Sequence, residues 1–120
     1  MGHKLWRSFV SAARGLKLIY KSEVNFRIQI FIGATAFILA WYFPLKVWEL
    51  ILVILLVVAV LVMEILNTTF EYLSDLLKPR LHDYVRVIKD IMAGAVLLTA
   101  FGAALIGIII FLPHFIQIWK

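Results

Sequence analysis

Acidic side chains and an amide recur at helical spacing in the segment MEILNTTFEYLSD, and these residues are the best equipped for chemistry. Glu64, Asn67, Glu71 and Asp75 lie at offsets of three, seven and eleven residues, which places them on one helical face. Three carboxylates on one stripe repel one another, and a bound cation relieves that repulsion. Carboxylates suit Mg²⁺, which takes one or two of them and completes its octahedron with water and phosphate oxygens. The stripe therefore predicts a magnesium site.

Two further polar clusters flank apolar segments elsewhere in the chain. Glu23, Asn25 and Arg27 occur in SEVNFRIQ, and Lys89 and Asp90 begin the segment KDIMAGAVLL. Acids for a metal, basic groups for phosphate charge and an amide for orientation are the components of phosphoryl transfer. Asp90 equally suits a helix N-cap. The sequence contains no GxxxxGK[ST] loop, so a nucleotide site is expected on the helices themselves.

Apolar residues dominate the chain and predict the elements that position these groups. Of 120 residues, 64% are hydrophobic and 16% are charged, which is far more apolar than a soluble domain. Three transmembrane helices are predicted, at about 27–45, 47–70 and 90–112. In the second helix, the uncharged run 50–63 spans only about 21 Å of a hydrocarbon core of about 30 Å. Glu64 and Asn67 are therefore expected near the membrane boundary, where an uncompensated carboxylate costs a few kcal/mol.

Basic residues are distributed unevenly, and their placement predicts the orientation of the chain. Ten of the 12 Lys and Arg residues precede or begin the first span or lie between the second and third, whereas Lys46 and Lys120 fall on the other two segments. By the positive-inside rule, the N-terminus is expected in the cytoplasm and the C-terminus outside. The net charge of +5 thus reflects membrane topology, and no nucleic acid is expected as a partner.

Residues 4–22 carry apolar and basic side chains at three- and four-residue spacing, which is typical of an amphipathic helix. We expect this helix to lie in the cytoplasmic headgroup layer with its basic face towards anionic lipid. The alternative is a solvated helix docked on protein. The sequence contains no cysteine, which excludes disulfides, thiolate metal sites and cysteine nucleophiles.

Small side chains recur every fourth residue in the third predicted span, at Ala95, Thr99, Ala103 and Gly107. A helix face of this kind allows another helix to approach closely. The pattern therefore predicts tight packing within a bundle or an oligomer, and it requires no ligand.

Together these motifs resemble the prokaryotic diacylglycerol kinase family, which includes undecaprenol kinases. The resemblance runs over about 8–113 and rests on ExNFR from Glu23, ExxNTxxE from Glu64, His82 in the loop, and KDxxAGAVLL from Lys89. It implies an all-α membrane protein in which an N-terminal surface helix precedes three spans, assembled as a homotrimer with active sites shared between protomers. It also implies transfer of the γ-phosphate of Mg-ATP to the hydroxyl of a lipid alcohol in a prokaryotic plasma membrane.

The resemblance also implies roles for individual residues. Glu64 would be the general base near the lipid hydroxyl, with Asn67 orienting the catalytic groups and Arg27 beside the lipid. Glu23 and Glu71 would hold Mg²⁺ next to ATP. The remaining residues implied at the nucleotide are Lys89 on the phosphates, Asp90 supporting it as a catalytic group, and Lys4, Arg7, Ser11 and the stretch from Arg80 to His82. Lys4 stands where some members carry an arginine, and a lysine lacks the planar fork of that side chain.

A lipid kinase is the leading interpretation, and two others remain open. An acidic stripe within a bundle also lines cation pathways, although here the acids cluster at one membrane face. A structural membrane subunit is the third possibility, and it leaves the cost of Glu64 unexplained. For the acceptor lipid, undecaprenol is slightly favoured over diacylglycerol.

Overall fold

Four helices make up the described part of the chain. The computed structural model describes residues 1–77, 79–80 and 82–120, and no strand occurs among them. The helices are α1 (Gly2–Ser22), α2 (Val24–Tyr42), α3 (Val47–Leu77) and α4 (His82–Ile118). The last three are long and apolar enough to cross a membrane. The prediction of an all-helical membrane protein with three spanning helices is confirmed at this level.

Two of the helices extend well beyond the predicted spans. At 31 and 37 residues, α3 and α4 measure about 46 and 55 Å, whereas the hydrocarbon core is about 30 Å thick. The helix α3 continues to Leu77 without a break, so the whole acidic stripe is helical. Because α4 begins at His82, Asp90 lies two turns inside the helix, and the alternative interpretation of Asp90 as an N-cap is wrong.

The helix α3 is the centre of the bundle. It packs most extensively against α4, less against α2, while α1 packs against α2. Near the turn between α2 and α3, Ala40, Val53 and Ile110 form the buried core. At the other end, Lys89 of α4 pairs with Asp75 of α3. These two contacts fix the antiparallel register of α3 and α4 over most of their length.

A close approach between α2 and α3 occurs at Gly33. A Cβ atom at this position would lie 2.9 Å from Cγ1 of Val57. Phe26, Gly33 and Ala40 are the buried residues of α2, and their seven-residue spacing places them on one face towards α3. Because consecutive helices joined by a short turn run antiparallel, Phe26 lies level with Glu64, seven residues from the Gly33–Val57 contact on each helix.

The helix α1 projects sideways from the end of the bundle. The molecule extends 61 × 43 × 23 Å. Helices that pack side by side with their axes about 8–10 Å apart would not need a width of 43 Å. At the joint, Nη1 of Arg27 donates to the carbonyl oxygens of Tyr20 at 2.7 Å and Lys21 at 3.0 Å. These carbonyls end α1 and lack helical partners, so Arg27 ties the end of α1 to the start of α2. Glu23 is the extended residue between the two helices.

Candidate functional site

The side chain of Glu64 is buried in the middle of the bundle. Its exposed fraction is 1%, and that of Thr68, one turn further along α3, is 2%. Thr68 donates its hydroxyl to the carbonyl oxygen of Glu64 at 3.1 Å, and so needs no other partner. The Oε1 atom of Glu64 has no hydrogen-bond partner among the residues that the structure describes. A buried polar atom left unpaired is costly, which indicates a site kept for a ligand or a reaction.

Two other carboxylates lie close to Glu64. Those of Glu23, at the joint of α1 and α2, and Glu71, two turns further along α3, are near enough to interact with it electrostatically. The amide nitrogen of Asn67 donates to Oε1 of Glu71 at 3.3 Å. Glu23, Asn67 and Glu71 are all half-buried. We call Glu23, Glu64, Asn67 and Glu71 the acidic cluster. Three of these predicted residues lie on α3, and the fourth lies just before α2.

The donor set of the acidic cluster fits a metal that arrives with a phosphate. Within 1–77, 79–80 and 82–120, no group of three or more acidic, histidine or cysteine side chains is arranged to hold a metal ion. Mg²⁺, however, commonly takes one or two carboxylates and fills its other positions with water and substrate phosphates. Glu23 and Glu71 provide two such carboxylates near Glu64. They suit Mg²⁺ bound to a polyphosphate better than a resident ion.

Lys89 and Asp90 lie apart from the acidic cluster. The Nζ atom of Lys89 is 3.4 Å from Oδ1 of Asp75, in a pair whose side chains are 39% and 65% exposed. Asp75 follows Glu64 by eleven residues, which is about 16 Å along α3. Asp90 is exposed on α4. Within one chain, the predicted base and the predicted phosphate ligand therefore stand on different levels of the bundle.

The other residues predicted at the nucleotide are exposed. Lys4, Arg7 and Ser11 lie on α1, and Ser11 precedes Glu23 by twelve residues, or about 18 Å along that helix. Arg80 belongs to the turn before α4, and His82 begins that helix; both are exposed. Leu81, inside the predicted stretch from Arg80 to His82, lies outside the described residues. The roles of these residues stay predictions.

Two features of the site were missed by sequence reasoning. Arg27, predicted beside the lipid, uses Nη1 to bind the end of α1, which no spacing rule indicates. Gln29 has a buried Oε1 without a hydrogen-bond partner in the part of the chain that is described. The sequence did contain a signal for Gln29, because a polar residue just inside an apolar span is a candidate for a functional residue.

Comparison with known proteins places these residues in a family context. The family model described as prokaryotic diacylglycerol kinase matches residues 10–111. The undecaprenol kinase of Bacillus subtilis is 32% identical over 111 residues, covering 92% of this chain and 90% of that protein. The diacylglycerol kinase of Synechocystis is 31% identical over 112 residues, covering 92% of this chain and 64% of that protein. The matched region contains the whole acidic cluster, whereas Lys4 and Arg7 precede it.

Proposed function

This chain belongs to the prokaryotic diacylglycerol kinase family and is a membrane lipid kinase, and we propose that it transfers the γ-phosphate of ATP to the hydroxyl of undecaprenol. The observation that carries this proposal is the burial of Glu64, with one unpaired carboxylate oxygen, beside Glu23 and Glu71. The undecaprenol kinase of Bacillus subtilis, matched over nearly its whole length, supports this acceptor. Diacylglycerol is the alternative acceptor.

The depth of the acidic cluster supports a lipid hydroxyl as the acceptor. Trp48, in the first turn of α3, is exposed and suits the outer membrane interface. From there, about 30 Å of hydrocarbon corresponds to about twenty helical residues. Glu64 then lies just inside the opposite boundary, and Glu71 lies among the headgroups. We place that boundary on the cytoplasmic side because most basic residues lie there.

Each member of the acidic cluster has a role in the proposed reaction. The lipid oxygen forms a bond to the γ-phosphorus, the bond from that phosphorus to the bridging oxygen of ADP breaks, and Glu64 takes the hydroxyl proton. Asn67 orients Glu71 through its hydrogen bond. Glu23 and Glu71 would hold Mg²⁺, which neutralises phosphate charge when bound. Lys89, supported by Asp90, contacts the phosphates of ATP.

A homotrimer with shared active sites would bring the remaining groups together. Within one chain, Lys89 packs against Asp75 of α3, with 3.4 Å between Nζ and Oδ1, and the basic residues of α1 project to the side. We propose that each acidic cluster receives Lys89 and Asp90 from a neighbouring protomer. The exposed α1 residues and the turn before α4 then approach the nucleotide from outside the bundle; these residues are Lys4, Arg7, Ser11, Arg80 and His82.

The substitution Glu64→Gln tests the proposal. It keeps the shape of the side chain and removes the base, so the rate of phosphate transfer should fall by about 10²- to 10⁴-fold. Purified protein in lipid vesicles would be given radiolabelled ATP, Mg²⁺ and either undecaprenol or diacylglycerol, and folding would be followed by circular dichroism. Glu49→Gln is the matched control, because Glu49 lies in the first turn of α3, at the opposite end, and accepts a hydrogen bond from the backbone N–H of Lys46.

The outcomes separate the parts of this proposal. Full activity in the folded Glu64→Gln variant would remove Glu64 from its role as base. A marked preference of the wild type for diacylglycerol would overturn the choice of undecaprenol. The alternative of a non-enzymatic cation pathway is not favoured, because the relatives that cover most of this chain are kinases.

A further inference from the structure

An apolar groove lies between α2 and α4, over residues 53–60 of α3. Its volume is about 490 Å³, its floor includes Val57 and Val60 of α3, and the wall on α4 includes Ala103 and Gly107. On α2 the lining extends from Gln29 to Leu39, a length of about 15 Å. Nearly all of the lining of this groove is hydrocarbon.

A hydrogen-bonding group stands at one end of this groove. Gln29 lines it, and the buried Oε1 atom of its amide finds no donor among the residues described. Gln29 is one turn from Phe26, which lies level with Glu64 according to the register set by the contact between Gly33 and Val57. The end of the groove marked by Gln29 thus adjoins the level of the base, about 5 Å away along the bundle axis.

We propose that this groove holds the part of the acceptor lipid's hydrocarbon chain that is nearest to its hydroxyl, and that the Gln29 amide contacts this hydroxyl and directs it towards Glu64. The inference rests on the proposed function and deepens it. A long-chain alcohol with one polar group matches a groove with one polar end. An amide is both donor and acceptor, as is a hydroxyl, so the contact satisfies the orphaned oxygen of Gln29.

The same groove discriminates between the two candidate acceptors. Diacylglycerol carries two ester groups where its chains begin, and each buried carbonyl without a donor costs about 1–3 kcal/mol. Gln29 is the amide at the polar end of the groove, and it cannot serve the hydroxyl and both esters. Undecaprenol brings no polar group besides its hydroxyl.

Two glycines of α4 allow a matched test. A Cβ atom placed on Gly107 or on Gly102 meets no atom of the described residues within 4 Å. Gly107 lines the groove, whereas Gly102 is not part of its lining. In Gly107→Leu we expect the KM for undecaprenol to rise about tenfold, equivalent to about 1.4 kcal/mol, with the KM for ATP and the oligomeric state unchanged. In Gly102→Leu both constants should stay at the wild-type values.

The Gln29 contact is tested separately. Gln29→Leu should lower the turnover number with undecaprenol about tenfold, since an unguided hydroxyl is poorly placed against the base. Gln117→Leu, the same change at an exposed position near the end of α4, is the control and should have wild-type kinetics. Equal kinetics in the two glutamine variants would overturn the role of Gln29.

Direct labelling locates the hydrocarbon chain of the lipid without relying on variants. Irradiation of wild-type protein with a photoreactive undecaprenol, carrying a diazirine in its second or third isoprene unit, should label peptides of α2 and α4 that line the groove. Labelling confined to the smaller cavity among α1, α2 and α3, lined by Leu16, Tyr20 and Leu61, would overturn the proposal. So would a changed oligomeric state in Gly107→Leu, which would assign the groove to a second protomer. A wild type that phosphorylates neither lipid would instead refute the proposed function.

Discussion

The contact between Gly33 and Val57 makes a quantitative prediction about how α2 is held against α3. In Gly33→Ala the new Cβ would lie 2.9 Å from Cγ1 of Val57, about 0.6 Å inside the separation of about 3.5 Å at which carbon atoms attract. A valine in a helix has one strongly preferred rotamer, so the side chain cannot turn away. The two helices must therefore move apart.

The cost of this movement follows from the size of the overlap. Overpacking by one methyl group destabilises a protein by about 1–3 kcal/mol, while replacing glycine by alanine in a helix contributes about 0.5–1 kcal/mol in the opposite direction. Gly33→Ala should therefore be destabilised by about 1 kcal/mol. Gly102→Ala, where a Cβ meets no described atom within 4 Å, should gain the helix contribution alone. The two variants should differ by roughly 2 kcal/mol.

Reversible unfolding in mixed micelles, followed by circular dichroism, measures this difference. Val57→Ala removes the atom that the new Cβ meets, so the double variant should lose less than the sum of the single losses, by about 0.5–3 kcal/mol. Turnover should also fall in Gly33→Ala, because Glu64 lies two turns from Val57 and moves with it. If Gly33→Ala were as stable as Gly102→Ala, the close approach of α2 and α3 would be refuted.

Two further contacts give independent predictions. Arg27→Gln removes the charged donor that binds two terminal carbonyls of α1. A buried contact of this kind is worth about 1.5–3 kcal/mol, and this one is worth less because Arg27 is partly exposed. Amide hydrogen exchange should become faster in the last turn of α1 and not in α3, and unchanged exchange would contradict the contact. Asp75→Asn should change stability by less than about 1 kcal/mol, because the pair with Lys89 is largely exposed. It should also lower the KM for ATP by freeing Lys89, and a higher KM would show that Asp75 itself assists nucleotide binding.

The sequence predicted the apolar parts of the helices and said less about where each helix ends. Apolar runs identify α2, α3 and α4 as candidate spans, because only long apolar helices satisfy the backbone in lipid. They give no bound where polar residues continue the helix: the predicted span ends near 70, the spacing of the acidic stripe extends the helix to Asp75, and α3 reaches Leu77. The apolar run of α4 likewise starts after Asp90, which suggested a helix start there, whereas α4 begins at His82.

The candidate site was predictable where it depends on one helix and unpredictable where it depends on two. Periodicity alone places Glu64, Asn67 and Glu71 on one stripe of α3. The contact between Lys89 and Asp75 spans fourteen residues and requires the register of α3 against α4, which apolar periodicity does not encode. Likewise, Arg27 binds backbone carbonyls, and any residue type in α1 would supply those carbonyls.

The acidic stripe of α3 lies in three environments because α3 continues past the level at which α2 begins. Glu64 is 1% exposed, Glu71 is half-buried, and the side chain of Asp75 is 65% exposed, over about 16 Å. Electrostatic interactions weaken as water approaches. A carboxylate near the lipid therefore attracts the proton of a lipid hydroxyl most strongly, whereas a carboxylate among the headgroups can share a cation with phosphate. Because these depths are fixed by one helix, shifting α3 along its axis by a single turn would place every acid in the wrong environment at once.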